Sequence, residues 1–334
     1  MNQSLQRTST ALTLQDQKRR QYADHARAKS TQAVYGRAWE RFVAWLETTG
    51  EKSVGLHSAE LQEPIAPERV ADYIIHLSEE GLAASTLDGS IAAIRERHLR
   101  CGLPTPTAHP FVREILTGAR KMAVRDGRGR GQAAPILPSL LEVMLRELPE
   151  SLRGDRDRAL LTLGLAGGFR REELARLCVE HLIWEGEAVL VRLPWSKGHD
   201  EESLRRIVRG ASETLCPVRN LQIWLERSDL KSGPIFRAIS AHDQISQRGF
   251  DPRRVDQIVR EVLGRARRHY PDEVPVGRYS AHSLRSGLIT AALMAGKDVR
   301  DVQQHVDHRS VAMTLRYARN AATRTSTVTE GIGL

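Results

Sequence analysis

Three short motifs carry residue types that hold anions and move protons. GGFRREEL places Arg170 after a Gly-Gly-Phe run, with Glu173 one helical turn further on. SAHSLRSG puts His282 and Arg285 at i and i+3, on one helix face. HVDHRSVAMTLRYAR holds His308 and, nine residues later, Tyr317. Between the first two motifs, Lys197 lies in the polar stretch PWSKGHDEES. Singly, each has an ordinary reading: a solvated helix-start arginine, a surface pair, a core-edge tyrosine, a soluble turn lysine. The specific signal is the joint order: Arg, Lys, His-x-x-Arg, His, Tyr. His305 and His308 also have an i, i+3 spacing, but without a third spaced ligand they do not make a metal site.

The elements that must position these residues are mostly helical. From Ser30 to Leu46, Val34, Ala38, Phe42 and Leu46 recur at i+4, widened by Trp39, Val43 and Trp45, and Gly50 closes the helix. A second helix starts near Pro67, buries Val70, Tyr73, Ile74 and Leu77, and ends at Gly81. A third opens at Ser85, where Ser85 and Asp88 resemble a capping box, and stops at Gly102 and Pro104. A fourth covers about 109–124. RDGRGRGQAAPILP then reads as a flexible basic connector. Beyond it, helices are expected at about 139–147, 155–167, 170–178, 215–227, 252–268, 283–295, 298–305 and 310–317. AVLVRL (188–193) and LRRIV (204–208) flank a polar turn as a β-hairpin. The boundaries are a loose tail over 1–20, a helical domain over 21–124, a basic Gly/Pro linker over 125–138 and a second domain over 139–334.

Bulk composition narrows the function. A chain of 334 residues suits two domains. Fifty Lys+Arg against 41 Asp+Glu give a formal charge of +9, which favours a polyanionic partner, nucleic acid before membrane. Cys101, Cys178 and Cys216 form no CxxC pair, so neither a zinc ribbon nor a disulfide framework is indicated. Cys178, in LARLC, reads as small core filling. The first 20 residues lack an apolar signal-like stretch, and the longest nearly unbroken apolar run, 159–169, is too short to cross a bilayer. The expectation is a cytoplasmic, nucleoid-associated protein. No P-loop or two-metal carboxylate cluster occurs.

With these motifs in order, the sequence resembles the tyrosine recombinase (phage integrase) family, and within it the Cre-like branch, over roughly residues 28–320. The gaps from His282 to His308 and from His308 to Tyr317 fit the family spacing. The resemblance implies a mainly α fold: a four- to five-helix core-binding (SAM-like) domain, then a mostly α catalytic domain with a small antiparallel sheet. It implies strand cleavage and rejoining through a 3′-phosphotyrosine and a Holliday junction, with neither ATP nor metal. Tyr317 would be the nucleophile, with Arg170 and Arg285 on the phosphate. His282 would take the phenol's proton, and Lys197 would protonate the leaving 5′-oxygen. His308 would bond the phosphate or orient Tyr317, and Glu173 would buttress the site.

The implied partner is double-stranded DNA with an inverted-repeat site, clamped between two domains. The working form would be a homotetramer on two sites, built from monomers in solution. Arg95, Arg120, Lys121, Arg128, Arg130, Arg253, Arg254 and Arg260 are the candidate DNA contacts; residues 253–269 alone carry six arginines. Two positions depart from the family pattern. Asp307 stands where a small residue is usual, and could shift the His308 pKa or repel a phosphate. Arg171 stands where an apolar residue is usual. His305 competes with His308, but its spacing to Tyr317 does not fit. A helix-turn-helix-like stretch around Gly296 supports a rival reading, a non-catalytic DNA-binding regulator. A type IB topoisomerase is a second rival.

Overall fold

The structure is a computed structural model that describes residues 29–50, 61–129, 133–193 and 202–317. The chain divides into two compact units, residues 1–131 and 132–334, and the division falls inside the Gly/Arg-rich connector.

In the first unit the described helices are α1 (Lys29–Thr48), α2 (Pro67–Glu79), α3 (Ala84–Arg100) and α4 (Pro110–Arg125). Prolines at the first turns of α2 and α4 start those helices, because a proline there gives up an N–H that has no intrahelical partner anyway. The core is aromatic at its centre, with Phe42 and Trp45 set 4.8 and 5.1 Å from Tyr73. Two expectations need correction. Val34 is exposed, and the buried face of α1 runs Trp39, Phe42, Val43, Leu46. An i+4 ladder drifts about 40° per step around a helix, so its first member leaves the core. The Ser85 capping box is also absent: α3 begins one residue earlier at Ala84, without a side-chain cap, and Asp88 accepts from Arg120 instead.

The second unit is built around α6 (Leu152–Gly167), which packs against α8 (Pro217–Ser228) and α10 (His282–Met294). Leu160, Leu161 and Leu163 are all fully buried, as expected of a helix that is apolar on several faces. Ser151 caps its start, accepting from the Gly154 N–H at 3.2 Å, and Gly168 ends it in the left-handed region. Around it lie α5 (Pro138–Arg146), the short α7 (Arg171–Ala175), α9 (Pro252–His269), α11 (Val299–Val306) and a last helical stretch over 311–317.

Strands β1 (Leu182–Glu185), β2 (Ala188–Leu193) and β3 (Ser203–Val208) form an antiparallel sheet in that order. Leu193 faces Ser203 at the end from which residues 194–202 connect the strands. A second ribbon pairs β4 (Arg237–Ile239) with β5 (Ile245–Gly249).

The expected hairpin is present; β1, β4 and β5 were not anticipated, being short and without clean alternation. The helix expected over 170–178 spans only 171–175. Its downstream backbone pairs instead, Leu177 C=O accepting from the Ile235 N–H at 2.8 Å and Cys178 bridging to Pro234. That pairing leaves Cys178 half-buried, so it is not core filling; Cys216 is the buried cysteine. No helix among the described residues is long and apolar enough to cross a membrane.

Two helical glycines make a matched test. A Cβ on Gly287, in α10, would overlap the Ile136 carbonyl oxygen, whereas one on Gly118, in α4, meets open space. Gly287→Ala should lower the unfolding free energy by at least about 2 kcal/mol. Gly118→Ala should raise it by roughly 0.5–1 kcal/mol. Urea unfolding of both variants checks the pair.

Candidate active site

The last carbonyls of a helix have no intrahelical donor, and in a buried helix something else must supply one. At the C-terminus of α6 three side chains from three segments do so. His305 Nε2 lies 3.0 Å from the Ala166 oxygen. Arg205 Nη1 donates to Gly167 O at 3.0 Å, and Arg285 Nη1 to Gly168 O at 2.7 Å. The negative end of the helix dipole favours the two arginines gathered there. Gly168 makes the turn at φ 54°, and a Cβ there would press on Leu288 and Val306.

Arg170 is the N-cap residue of α7. Glu173 binds it twice, Oε2 accepting from the Arg170 backbone N–H at 2.9 Å and Oε1 from Nη1 at 2.6 Å. Arg205 Nη2 approaches the same carboxylate at 3.1 Å from behind, its guanidinium over the Phe169 ring. Burial by itself would raise the Glu173 pKa. Arg205, the Arg170 N–H and the Arg170 charge overcome that and hold it below the usual carboxylate range.

Arg285 is 2 % exposed. Burial, then the neighbouring Arg170 and Arg205, pull its pKa down to about 9.

The histidines and the tyrosine close the site. His282 Nε2 lies 2.9 Å from Tyr317 Oη. The His308 ring stacks on the Tyr317 ring at 5.9 Å and 18°, and its Nδ1 lies 2.9 Å from Thr314 Oγ1. Burial, then Arg285 and Arg170, lower the His282 pKa. The same causes in the same order, joined by His282 and Arg316, bring His308 down to about 4. Both rings are therefore neutral near pH 7. His305 is engaged with α6 and Asp307 turns toward Arg170, its carbonyl oxygen accepting from Nη2 at 2.9 Å. Among the described residues no three His, Cys, Asp or Glu side chains converge as a metal-binding group.

The structure thus brings Arg170, Glu173, His282, Arg285, His308 and Tyr317 together from three stretches of chain, 170–173, 282–285 and 308–317. Lys197 and Arg130 lie outside the described residues. Arg95, Lys121 and Arg260 are exposed. Arg120, Arg253 and Arg254 pair with Asp88, Asp251 and Glu261. Arg128 bonds the Ser78 and Leu82 carbonyl oxygens and pairs with Asp126, so it packs on the first unit.

Two participants were not foreseen. Arg205 points inward from β3, where Leu204 and Val208 are exposed. An arginine in phase with Ile207 on a two-residue alternation was the available signal. Asp256 of α9 is the second: its Oδ1 accepts from the Ala281 N–H at 2.8 Å and its Oδ2 from Arg171 Nη1 at 2.6 Å. The unusual Arg171 is therefore half of a bracket between the first and second motifs.

Comparison with known proteins identifies the family and the fold. The model of the phage integrase family matches residues 138–324, more than half of the chain. The integrase/recombinase xerD homolog of Selenomonas ruminantium is 29% identical over 303 residues, covering 88% of this chain and 82% of that protein. The tyrosine recombinase XerC of Bifidobacterium longum subsp. infantis is 31% identical over 315 residues, covering 88% and 76%. Among solved structures, the Tn1549 transposon integrase shares the fold with a TM-score of 0.60 at 14% identity, covering 92% of this chain and 97% of that one. The fold is mainly helical with small antiparallel sheets, that of tyrosine-recombinase catalytic domains. The chain belongs to the phage integrase family and is a tyrosine recombinase.

Two stability measurements follow. Asp256→Ala removes an acceptor at a helix start and should cost about 1–2 kcal/mol in urea unfolding, whereas Arg171→Leu should cost less than about 1 kcal/mol, its partner staying bonded to Ala281. The second concerns pH. The folded pKa values of His282, His305 and His308 lie below the unfolded value near 6.5, so the unfolded chain takes up protons first. Stability is full above about pH 6.5 and falls as pH drops toward the His308 value of about 4. Urea midpoints that stay flat over that range would contradict the buried neutral histidines.

Proposed function

We propose that this recombinase binds double-stranded DNA at an inverted-repeat site and exchanges strands through a 3′-phosphotyrosine and a Holliday junction. The observation that carries the reading is the 2.9 Å approach of His282 Nε2 to Tyr317 Oη, with Arg170 and Arg285 beside them. Tyr317 Oη attacks phosphorus as its proton passes to the neutral His282. The P–O5′ bond breaks, and Lys197 gives the leaving oxygen its proton. The products are a phosphotyrosyl bond and a free 5′-hydroxyl. Reversal by another strand's 5′-hydroxyl rejoins DNA with the bond energy conserved, so no ATP is consumed.

Arg170 and Arg285 fork the non-bridging oxygens, since a planar guanidinium matches phosphate geometry. They stabilise the charge that builds on the pentacoordinate phosphorane. Glu173 holds Arg170 from behind. His308, its Nδ1 held 2.9 Å from Thr314 Oγ1, bonds the phosphate or keeps the Tyr317 ring in place by stacking.

Exposed arginines on both units supply phosphate contacts, which set register without reading sequence. Those now paired with surface carboxylates exchange one weak partner for another. Affinity falls steeply with salt. The Tn1549 integrase was solved in complex with a circular intermediate DNA, which fits the same role here. Exchanging two duplexes takes four cleavages, so a tetramer on two sites is the working form, assembled on DNA from monomers.

Covalent capture tests the reading. After SDS denaturation, wild type should retain DNA at one recurring sequence and Tyr317→Phe none. Arg285→Ala should lower the cleavage rate on the order of a hundred- to a thousandfold. Attachment at scattered sequences, with relaxation of any supercoiled plasmid, would instead indicate topoisomerase chemistry. Equal retention by the Tyr317→Phe variant would exclude Tyr317 as nucleophile.

A further inference from the structure

Asp307 occupies a conformation that an L-residue seldom takes. It is the C-cap of α11, at φ 57° and ψ 55°. Glycine and asparagine are the usual occupants of such a cap, and aspartate is tolerated because its short side chain can bond locally. The backbone there does useful work: the Asp307 carbonyl oxygen accepts from Arg170 Nη2 at 2.9 Å, and the next residue sends the His308 ring onto Tyr317.

Glycine or asparagine would serve both purposes. What aspartate adds is a charge. Its Oδ2 lies 3.6 Å from Arg170 Nη1, too far for a good hydrogen bond but close enough for a strong Coulombic attraction. The carboxylate is also largely shielded, at 12% side-chain exposure.

The two carboxylates around Arg170 differ in kind. Glu173 is 2% exposed and bonds both Arg170 and Arg205, so it belongs to the frame. Asp307 Oδ2 stands 3.6 Å from the guanidinium nitrogen that also holds Glu173. Among the described residues, Arg170, Arg205 and Arg285 bring three positive charges to Glu173 and Asp307, two negative ones. A phosphodiester entering the fork of Arg170 meets a guanidinium already shared with a second anion, and like charges on one guanidinium repel.

We propose that Asp307 is a built-in electrostatic brake, a carboxylate that competes with the scissile phosphate for Arg170 and slows strand cleavage. The inference rests on Arg170 being a phosphate ligand. Asp307 touches no reacting atom; it acts through Arg170, and its effect grows as the phosphorane gains charge.

Asp307→Asn and Asp307→Gly separate charge from backbone, because both residues accept this dihedral region and both keep the carbonyl bond to Arg170. Single-turnover cleavage at saturating duplex should be roughly three- to tenfold faster in each variant than in wild type. On a duplex whose scissile phosphate is replaced by a neutral methylphosphonate the gain should vanish, which a merely structural role would not produce. Equal or slower cleavage of ordinary DNA, or the same gain on the methylphosphonate, would overturn the brake.

A measurement without DNA keeps the two readings apart. Inorganic phosphate, exchanged for chloride at constant ionic strength, should raise the melting temperature of Asp307→Asn more than that of wild type. If that difference appears while wild type forms no covalent complex, the competition between Asp307 and phosphate for Arg170 stands and the Tyr317 reading falls. If covalent capture succeeds and neither the rate nor the phosphate response changes, the brake alone falls.

Discussion

Three carbonyl oxygens at the end of one buried helix set the geometry on which this active site depends. Ala166, Gly167 and Gly168 have no downstream helical N–H groups to meet, and the core around α6 excludes water from its flanks. Each oxygen left without a donor there would cost on the order of 1–3 kcal/mol. His305, Arg205 and Arg285 supply the donors. The chain thus meets an elementary backbone demand with side chains from three other segments.

Crowding cations in this way carries an electrostatic cost, legible in the pKa shifts. Arg285 falls to about 9 under burial and the charges of Arg170 and Arg205. Glu173 offsets part of that cost by sitting between Arg170 and Arg205. Burial, and then the charges of Arg285 and Arg170, keep His282 and His308 neutral, and neutrality is the state needed by a ring that accepts a proton from a phenol. The lowered Arg285 value and the neutral rings therefore share their causes, burial and the neighbouring guanidinium charges.

The bracket from Arg171 through Asp256 to the Ala281 N–H shows how distant motifs are kept in register. Arg170 and His282 are far apart in sequence and meet across α9. A carboxylate on α9 that bonds both neighbours limits their relative sliding. A residue that looks like a departure from the family pattern is thereby explained by a partner that sequence inspection does not reveal.

The order and types of the chemical residues were legible in the sequence, because Arg170, His282, Arg285, His308 and Tyr317 sit in short local motifs whose spacing survives without the fold. Most helices were legible too, since their 3.6-residue patterns and Pro or Gly punctuation are local properties. Short elements were not. β1, β4, β5 and the early end of α7 depend on pairing partners far away in the chain, such as Leu177 with Ile235. Burial of charge was equally hidden. Arg205 and Asp256 read as ordinary surface residues until tertiary structure supplies the helix end and the arginine they answer to. Local periodicity decides which residues form a helix; only the packed chain decides which orphan carbonyl, or which competing carboxylate, each cation will face.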